Sequence, residues 1–149
     1  MPISSFDEAH LRRLAEVLAE AVTHRELSEL LRQCGIAEQG GEPKWERILL
    51  ALRVRQKEDK CGNNVGAFVQ TVMLPVRFTN RSESFMSFLY QLNEILAFSG
   101  LQLGEDGKLK PVAQARTLSE AQERAGKLRA ELIRRTVHPD VLRFCKPEL

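Results

Sequence analysis

Three times in this chain a hydroxyl residue stands three positions ahead of a glutamate at the head of an apolar series: Ser5–Glu8, Thr23–Glu26 and Thr117–Glu120. In such a capping box the hydroxyl accepts an orphan amide proton of the first helical turn, and the glutamate reaches back to the amide of the capping residue. The apolar residues that follow recur at helical spacing. They are Leu11, Leu14, Val17, Leu18 and Val22 in the first case, Leu27, Leu30, Leu31 and Cys34 in the second, and Ala121, Ala125, Leu128 and Leu132 in the third. Repeated start signals of one kind, each joined to a matching period, commit the chain to packed helices.

Other helices are predicted from stops and periodicity. Gly35 closes the second helix by supplying a left-handed residue just past its end. Pro43 suits the first turn of a third helix, which carries Trp45, Ile48, Leu49, Leu52 and Val54. Lys57 to Asn64 is polar and contains glycine, so it is expected to be a loop. A fourth helix runs from about Asn64 to Met73 and is stopped by Pro75. A fifth begins near Ser82, carries Phe85, Phe88, Leu89, Leu92, Ile95 and Leu96, and ends at Gly100. Two short alternating runs then flank Asp106-Gly107, a hairpin signal. After the sixth helix, Val137-His138-Pro139-Asp140 is a break, and Val141, Leu142 and Phe144 belong to a last short helix. The expected fold is mainly α: a compact bundle of about seven helices with one small β-hairpin at about residues 101–112. A helix followed by a hairpin is also the layout of a winged helix. Residues 1–149 read as a single domain, with 1–60 and 61–149 as candidate sub-units.

The charge is uneven. Residues 1–109 hold 13 Lys and Arg against 15 Asp and Glu, whereas residues 110–149 hold nine against five. In the sixth helix the positives are paired at helical spacing, Glu120 with Arg124 and Glu131 with Arg135, which is the pattern of a stabilised, solvated helix face. Arg77, Arg81, Lys108 and Lys110 are the candidate phosphate contacts if the hairpin serves as a wing. No aromatic residues alternate with these cations.

Catalytic signals are missing from the sequence. His10 stands near Asp7 and Glu8, His24 lies inside a capping box, and His138 precedes Pro139 at a helix start; none is spaced as a nucleophile–base pair or a metal cluster. The three cysteines, Cys34, Cys61 and Cys145, form no CxxC pair, so neither a zinc framework nor a redox motif is indicated. Odd, widely spaced cysteines fit a reducing, cytoplasmic compartment. The first residues lack the basic and apolar regions of a signal peptide, and no apolar run is long enough to span a membrane. No cofactor, metal or membrane partner is expected.

The string Leu92-Asn93-Glu94-Ile95-Leu96-Ala97-Phe98-Ser99-Gly100-Leu101, with Glu105-Asp106-Gly107-Lys108-Leu109, resembles part of a known family. Ala115-Arg116-Thr117-Leu118-Ser119-Glu120-Ala121 and Val137-His138-Pro139-Asp140-Val141-Leu142-Arg143-Phe144-Cys145 extend the likeness, as do Phe68-Val69-Gln70 and Pro75-Val76-Arg77-Phe78. Over roughly residues 23–149 the chain is similar to the front portion of the bacterial Ymh-type family of uncharacterised proteins. Longer members of that family carry a C-terminal module like the HEPN domains of abortive-infection and other defence proteins. The resemblance places that module, with its Arg-Asn…His motif, past Leu149. It therefore implies a non-catalytic regulatory, sensing or assembly module of a phage-defence system. Its partner would be a HEPN-like effector in cis or in trans, or a second copy of itself. His138, Val141, Leu142 and Phe144 are the expected protein interface. Nucleic-acid binding of the winged-helix type is the alternative.

Overall fold

The computed structural model describes residues 2–136. Six α-helices and one hairpin make up the described chain: α1 (Glu8–Glu20), α2 (His24–Gln33), α3 (Lys44–Asp59), α4 (Asn63–Val72), α5 (Ser82–Leu96), β1 (Leu101–Leu103), β2 (Leu109–Pro111) and α6 (Leu118–Thr136). Short 3₁₀ turns at Pro75–Phe78 and Ala97–Ser99 flank α5. The mainly helical class with one small hairpin is as the sequence predicts. The expected last helix, with His138, Val141, Leu142 and Phe144, lies outside the described residues.

The core forms where α1 packs against both α3 and α5. Leu11, Leu14 and Leu18 of α1, Ile48 and Leu52 of α3, and Leu89, Leu92 and Leu96 of α5 are fully buried there. Helix α4 packs on α3 and inserts Phe68 and Val69 into the same cluster. The rings of Phe78, Phe85 and Phe88 close one end, with Phe78 edge-on to Phe85 at 5.3 Å between centroids. Helix α6 is an addition to this core and packs on α5.

Two of the three predicted capping boxes form. The Thr23 amide donates to Glu26 Oε1 at 2.8 Å and the Glu26 amide donates to Thr23 Oγ1 at 3.1 Å. The Thr117–Glu120 box closes in the same way, at 3.2 and 3.1 Å. The Ser5–Glu8 box does not form, and α1 starts at Glu8 with Asp7 before it. A long-range tie overrides the local signal: Gln56 of α3 donates to the Phe6 carbonyl and accepts from the Phe6 amide, both at 3.0 Å. The tie uses the backbone groups of Phe6 and buries its ring. Glu8, the intended reciprocal partner, is taken by Arg53.

Gly35 ends α2 as predicted. With φ +68° it lets the Ile36 amide reach the Leu31 carbonyl and its own amide reach Arg32, a Schellman closure. The loop predicted from Lys57 to Asn64 is much shorter. Helix α3 continues to Asp59, held by an Arg55–Asp59 pair four residues apart at 3.0 Å, and then stops at Lys60 in the left-handed conformation. A lysine thus stands where glycine is the usual signal, and α4 restarts at Asn63.

Candidate functional site

The hairpin is fastened to the bundle by two polar side chains, Asn93 and Gln70. Asn93, a buried polar side chain of α5, donates to the Leu103 carbonyl at 2.9 Å and accepts from the Leu103 amide at 2.7 Å. Gln70 of α4 accepts from the Leu109 amide at 2.8 Å on the other strand. The Val112 amide donates to the Gly100 carbonyl at 2.9 Å and extends the hairpin ladder by one pair past Leu101 and Pro111. At the tip, Gly107 has φ +77° and lies so close to α4 that an added Cβ would sit 2.6 Å from the Met73 carbonyl oxygen. Only glycine satisfies both the turn and this approach.

Helix α6 reaches the hairpin because its seam is built from small residues. Ala121 and Ala125 are buried, and Leu128 and Leu132 follow at helical spacing. The Thr117 capping box fixes its start, and the Arg129 guanidinium lies 5.3 Å over the Tyr90 ring of α5. Arg124 donates to the Ala113 carbonyl in the connection. Its predicted pairing with Glu120 is not made, because Glu120 accepts from the amides of Arg116 and Thr117 instead. The predicted Glu131–Arg135 pair does form, at 2.8 Å.

Between hairpin and α6 lies an open groove of about 800 Å³. Lys108 and Lys110 enter it from the hairpin, and Arg124, Lys127 and Arg135 from α6. Half-buried Leu109 and Leu128 line it and rest on the core. Three carboxylates share the groove, those of Glu105, Asp106 and Glu131. Arg135 bridges Glu105 and Glu131, and that hydrogen bond holds the Glu131 carboxyl below the usual range. Asp106 accepts from the Lys108 amide at 3.0 Å and so stabilises the turn. Among the described residues, Lys108, Lys110 and Lys127 have no carboxylate within ion-pair distance. The groove therefore presents three exposed ammonium groups above a small apolar floor.

The four sequence-predicted phosphate contacts do not stand together. Lys108 and Lys110 line the groove, whereas Arg77 and Arg81 do not. Arg77 is only 14% exposed; it donates to the Val72 and Ala21 carbonyls and pairs with Glu26 at 3.3 Å. Arg81 donates to the Arg77 carbonyl and lies 5.2 Å over the Phe78 ring. These two arginines close the ends of helices. Helix α5, which precedes the hairpin where a winged helix carries its recognition helix, has no Lys or Arg and packs against both α1 and α6. The cations that do join Lys108 and Lys110 come from α6, whose charges the sequence marks only as a solvated face.

The histidines offer a further geometric test. His10 Nδ1 lies 3.4 Å from Ser99 Oγ and 4.0 Å from Asp7 Oδ2, beside the Phe98 ring. Both partners meet the same ring nitrogen, so the three groups do not form a relay in which one nitrogen is oriented and the other takes the proton. His24 Nδ1 is 2.8 Å from Arg47, which also binds Glu38 and Ser28. That network joins α3 to α2 and the loop after it. His138 lies outside the described residues. No group of three or more His, Cys, Asp or Glu side chains among the described residues is placed to hold a metal ion. Cys34 and Cys61 are free thiols, and no described helix is long and apolar enough to cross a membrane. Comparisons of this chain with protein-family models, with curated proteins and with solved structures found no match.

Proposed function

We propose that this chain is a non-catalytic interaction module, the sensing or assembly part of an abortive-infection-like defence system that controls a HEPN-like effector in cis or in trans. The resemblance to the front of the Ymh-type family supplies the context. The observation that carries the interaction reading is the hairpin–α6 groove, in which Lys108, Lys110 and Lys127 are exposed over Leu109 and Leu128 and, among the described residues, form no ion pair, Lys110 acting on Glu131 only at longer range. Three like charges brought together by two separate elements, none in an ion pair among the described residues, add self-repulsion to the fold, and an opposing charge on a partner relieves it. The interface expected from the sequence, His138, Val141, Leu142 and Phe144, lies outside the described residues.

The test is co-expression of this chain with the reading frame that adjoins it, followed by light scattering on the purified product. A defined complex, or a defined oligomer of the chain itself, is the expected result. A chain that stays monomeric at every concentration and does not co-purify with its neighbour sinks the proposal.

A second reading, nucleic-acid binding, is favoured by the meeting of Lys108 and Lys110 with Arg124 and Lys127 in one groove. It requires binding of duplex DNA or of RNA that weakens steeply with salt. Absence of binding at low ionic strength eliminates it.

A further inference from the structure

We infer that the hairpin–α6 groove seats an acidic, amphipathic peptide segment of a protein partner, with carboxylates on Lys108, Lys110 and Lys127 and an apolar side chain on Leu109 and Leu128. The inference rests on the interaction-module reading and names the chemistry of the partner.

Charge complementarity is the first argument. The cationic side chains outnumber the carboxylates by five to three, and Arg135 already occupies two of those carboxylates. What remains for a partner is therefore cationic. The free groups are lysines, compact charges on flexible stems that accept a carboxylate at any approach angle.

The floor is the second argument. Leu109 and Leu128 are packed against the core below and open to the groove above. A polyanion with no apolar side chain leaves that surface wet, whereas a leucine or similar residue between two acidic ones covers it. A groove of about 800 Å³ holds several side chains.

Nucleic acid fits less well. Among the described residues no aromatic ring lines the groove, so unpaired bases have no stacking platform there. Asp106 at the hairpin tip opposes a continuous run of phosphates. Strand addition is also closed off as a binding mode. The outward amide of Leu109 is held by Gln70, and Pro111 has no amide proton to give. Recognition must therefore pass through side chains, which places the burden on the three lysines.

Fluorescence anisotropy tests this with four labelled probes: a synthetic peptide of alternating Glu and Leu, the same peptide with Gln for Glu, a DNA duplex and a single-stranded RNA. The protein is used as the full chain in three forms. These are the unaltered chain, a Lys108→Glu/Lys110→Glu/Lys127→Glu variant, and an Arg13→Glu/Arg32→Glu/Lys57→Glu variant with the same net charge. Circular dichroism checks that both variants fold. The unaltered chain should prefer the Glu–Leu peptide over the Gln–Leu peptide by about tenfold or more at low salt. The groove variant should lose about tenfold, and the distal variant less than about threefold. Equal losses in the two variants overturn the inference, as does tighter binding of either nucleic acid than of the peptide, or no peptide binding at all. Assembly with the neighbouring gene product that survives the groove variant overturns the groove and leaves the module reading intact. Peptide capture through the three lysines without any assembly does the reverse.

Discussion

The seam joining α1, α3 and α5 is filled by Leu11, Leu14, Leu18, Leu52 and Leu92, all fully buried, while the seam joining α5 to α6 draws from α6 two small residues, Ala121 and Ala125, one buried leucine, Leu132, and half-buried Leu128. Large branched side chains bury more apolar area and leave larger voids when removed, so the first seam carries most of the stability. Alanines carry less, but they bring helix axes close and hold α6 near the hairpin without a thick core between them. The chain thus has a region that fixes the fold and an edge that shapes a groove. A helix held by a thin seam can be perturbed without unfolding the rest, and stability of this uneven kind is measurable locally. Two single-copy chromophores report the two regions separately: Trp45 on α3, with Arg12 at 4.7 Å over its ring, and Tyr90 on α5 beneath Arg129.

The sharpest way to break the comparison is Phe68→Ala. Phe68 is the largest fully buried side chain, and its removal should cost about 3–5 kcal/mol. Urea unfolding followed at Trp45 and Tyr90 should show both probes shifting together, because α6 cannot remain docked on an unfolded α5. If Tyr90 keeps its native signal after Trp45 has lost its own, the edge is an independent unit and the comparison is wrong.

Asn93→Leu comes next. It removes both partners of Leu103, and orphaned backbone groups at a buried site cost roughly 2–3 kcal/mol. The loss should be concentrated in the hairpin. Hydrogen exchange at Leu103 and Lys110 should quicken far more than at Leu14 or Leu52. Uniform loss of protection would place Asn93 in the main core instead.

Thr117→Ala and Thr23→Ala form a matched pair, since the two capping boxes share the same geometry. Each should cost about 1 kcal/mol. Thr23→Ala acts on α2, which packs with α3 and α4, so its effect should appear in the global midpoint. Thr117→Ala should instead loosen the start of α6, with the change confined to exchange rates around Glu120 and Ala121. Equal effects of the two on the midpoint would mean that α6 unfolds with the core rather than before it.

Much of this organisation is legible in the sequence, and the failures share a cause. The starts of α2, α5 and α6, the stop at Gly35 and the Asp-Gly hairpin are local signals, written within about four residues and realised as written. The Ser5–Glu8 box is equally well written, but it fails because Gln56, fifty positions away, claims the backbone of Phe6. Lys60 ends α3 in a conformation that its residue type does not announce. The groove could not be read for the same reason as the Gln56 tie. Lys110 and Lys127 share it only because small residues let α6 settle beside the hairpin. In the sequence Arg77 reads as a free cation, because its partners, Val72, Ala21 and Glu26, lie on three different parts of the chain.

Acid titration is the mildest probe of the two regions. The Thr23 amide and then Arg77 hold the Glu26 carboxyl below its ordinary value, while the amides of Arg116 and Thr117 do the same for Glu120 at the edge. A carboxyl with a lowered folded-state pKa stabilises the fold above its unfolded value, about 4.3, and that contribution disappears as pH falls through the folded value. Both capping boxes should therefore weaken below about pH 4, and neither should change between pH 5 and 8 on this account. Glu26 is 45% exposed, so after screening by solvent its share is about 0.5 kcal/mol or less. Glu26→Gln keeps an oxygen for the Thr23 amide but not the charge, and should flatten the acid limb of the stability curve without moving the neutral plateau by more than that amount. The ring resonances of Tyr90 should respond to acid before Trp45 fluorescence does, because α6 has the thinner seam. If Trp45 responds first, or if Glu26→Gln leaves the acid limb as steep as before, the capping carboxylates do not set the acid sensitivity of either region.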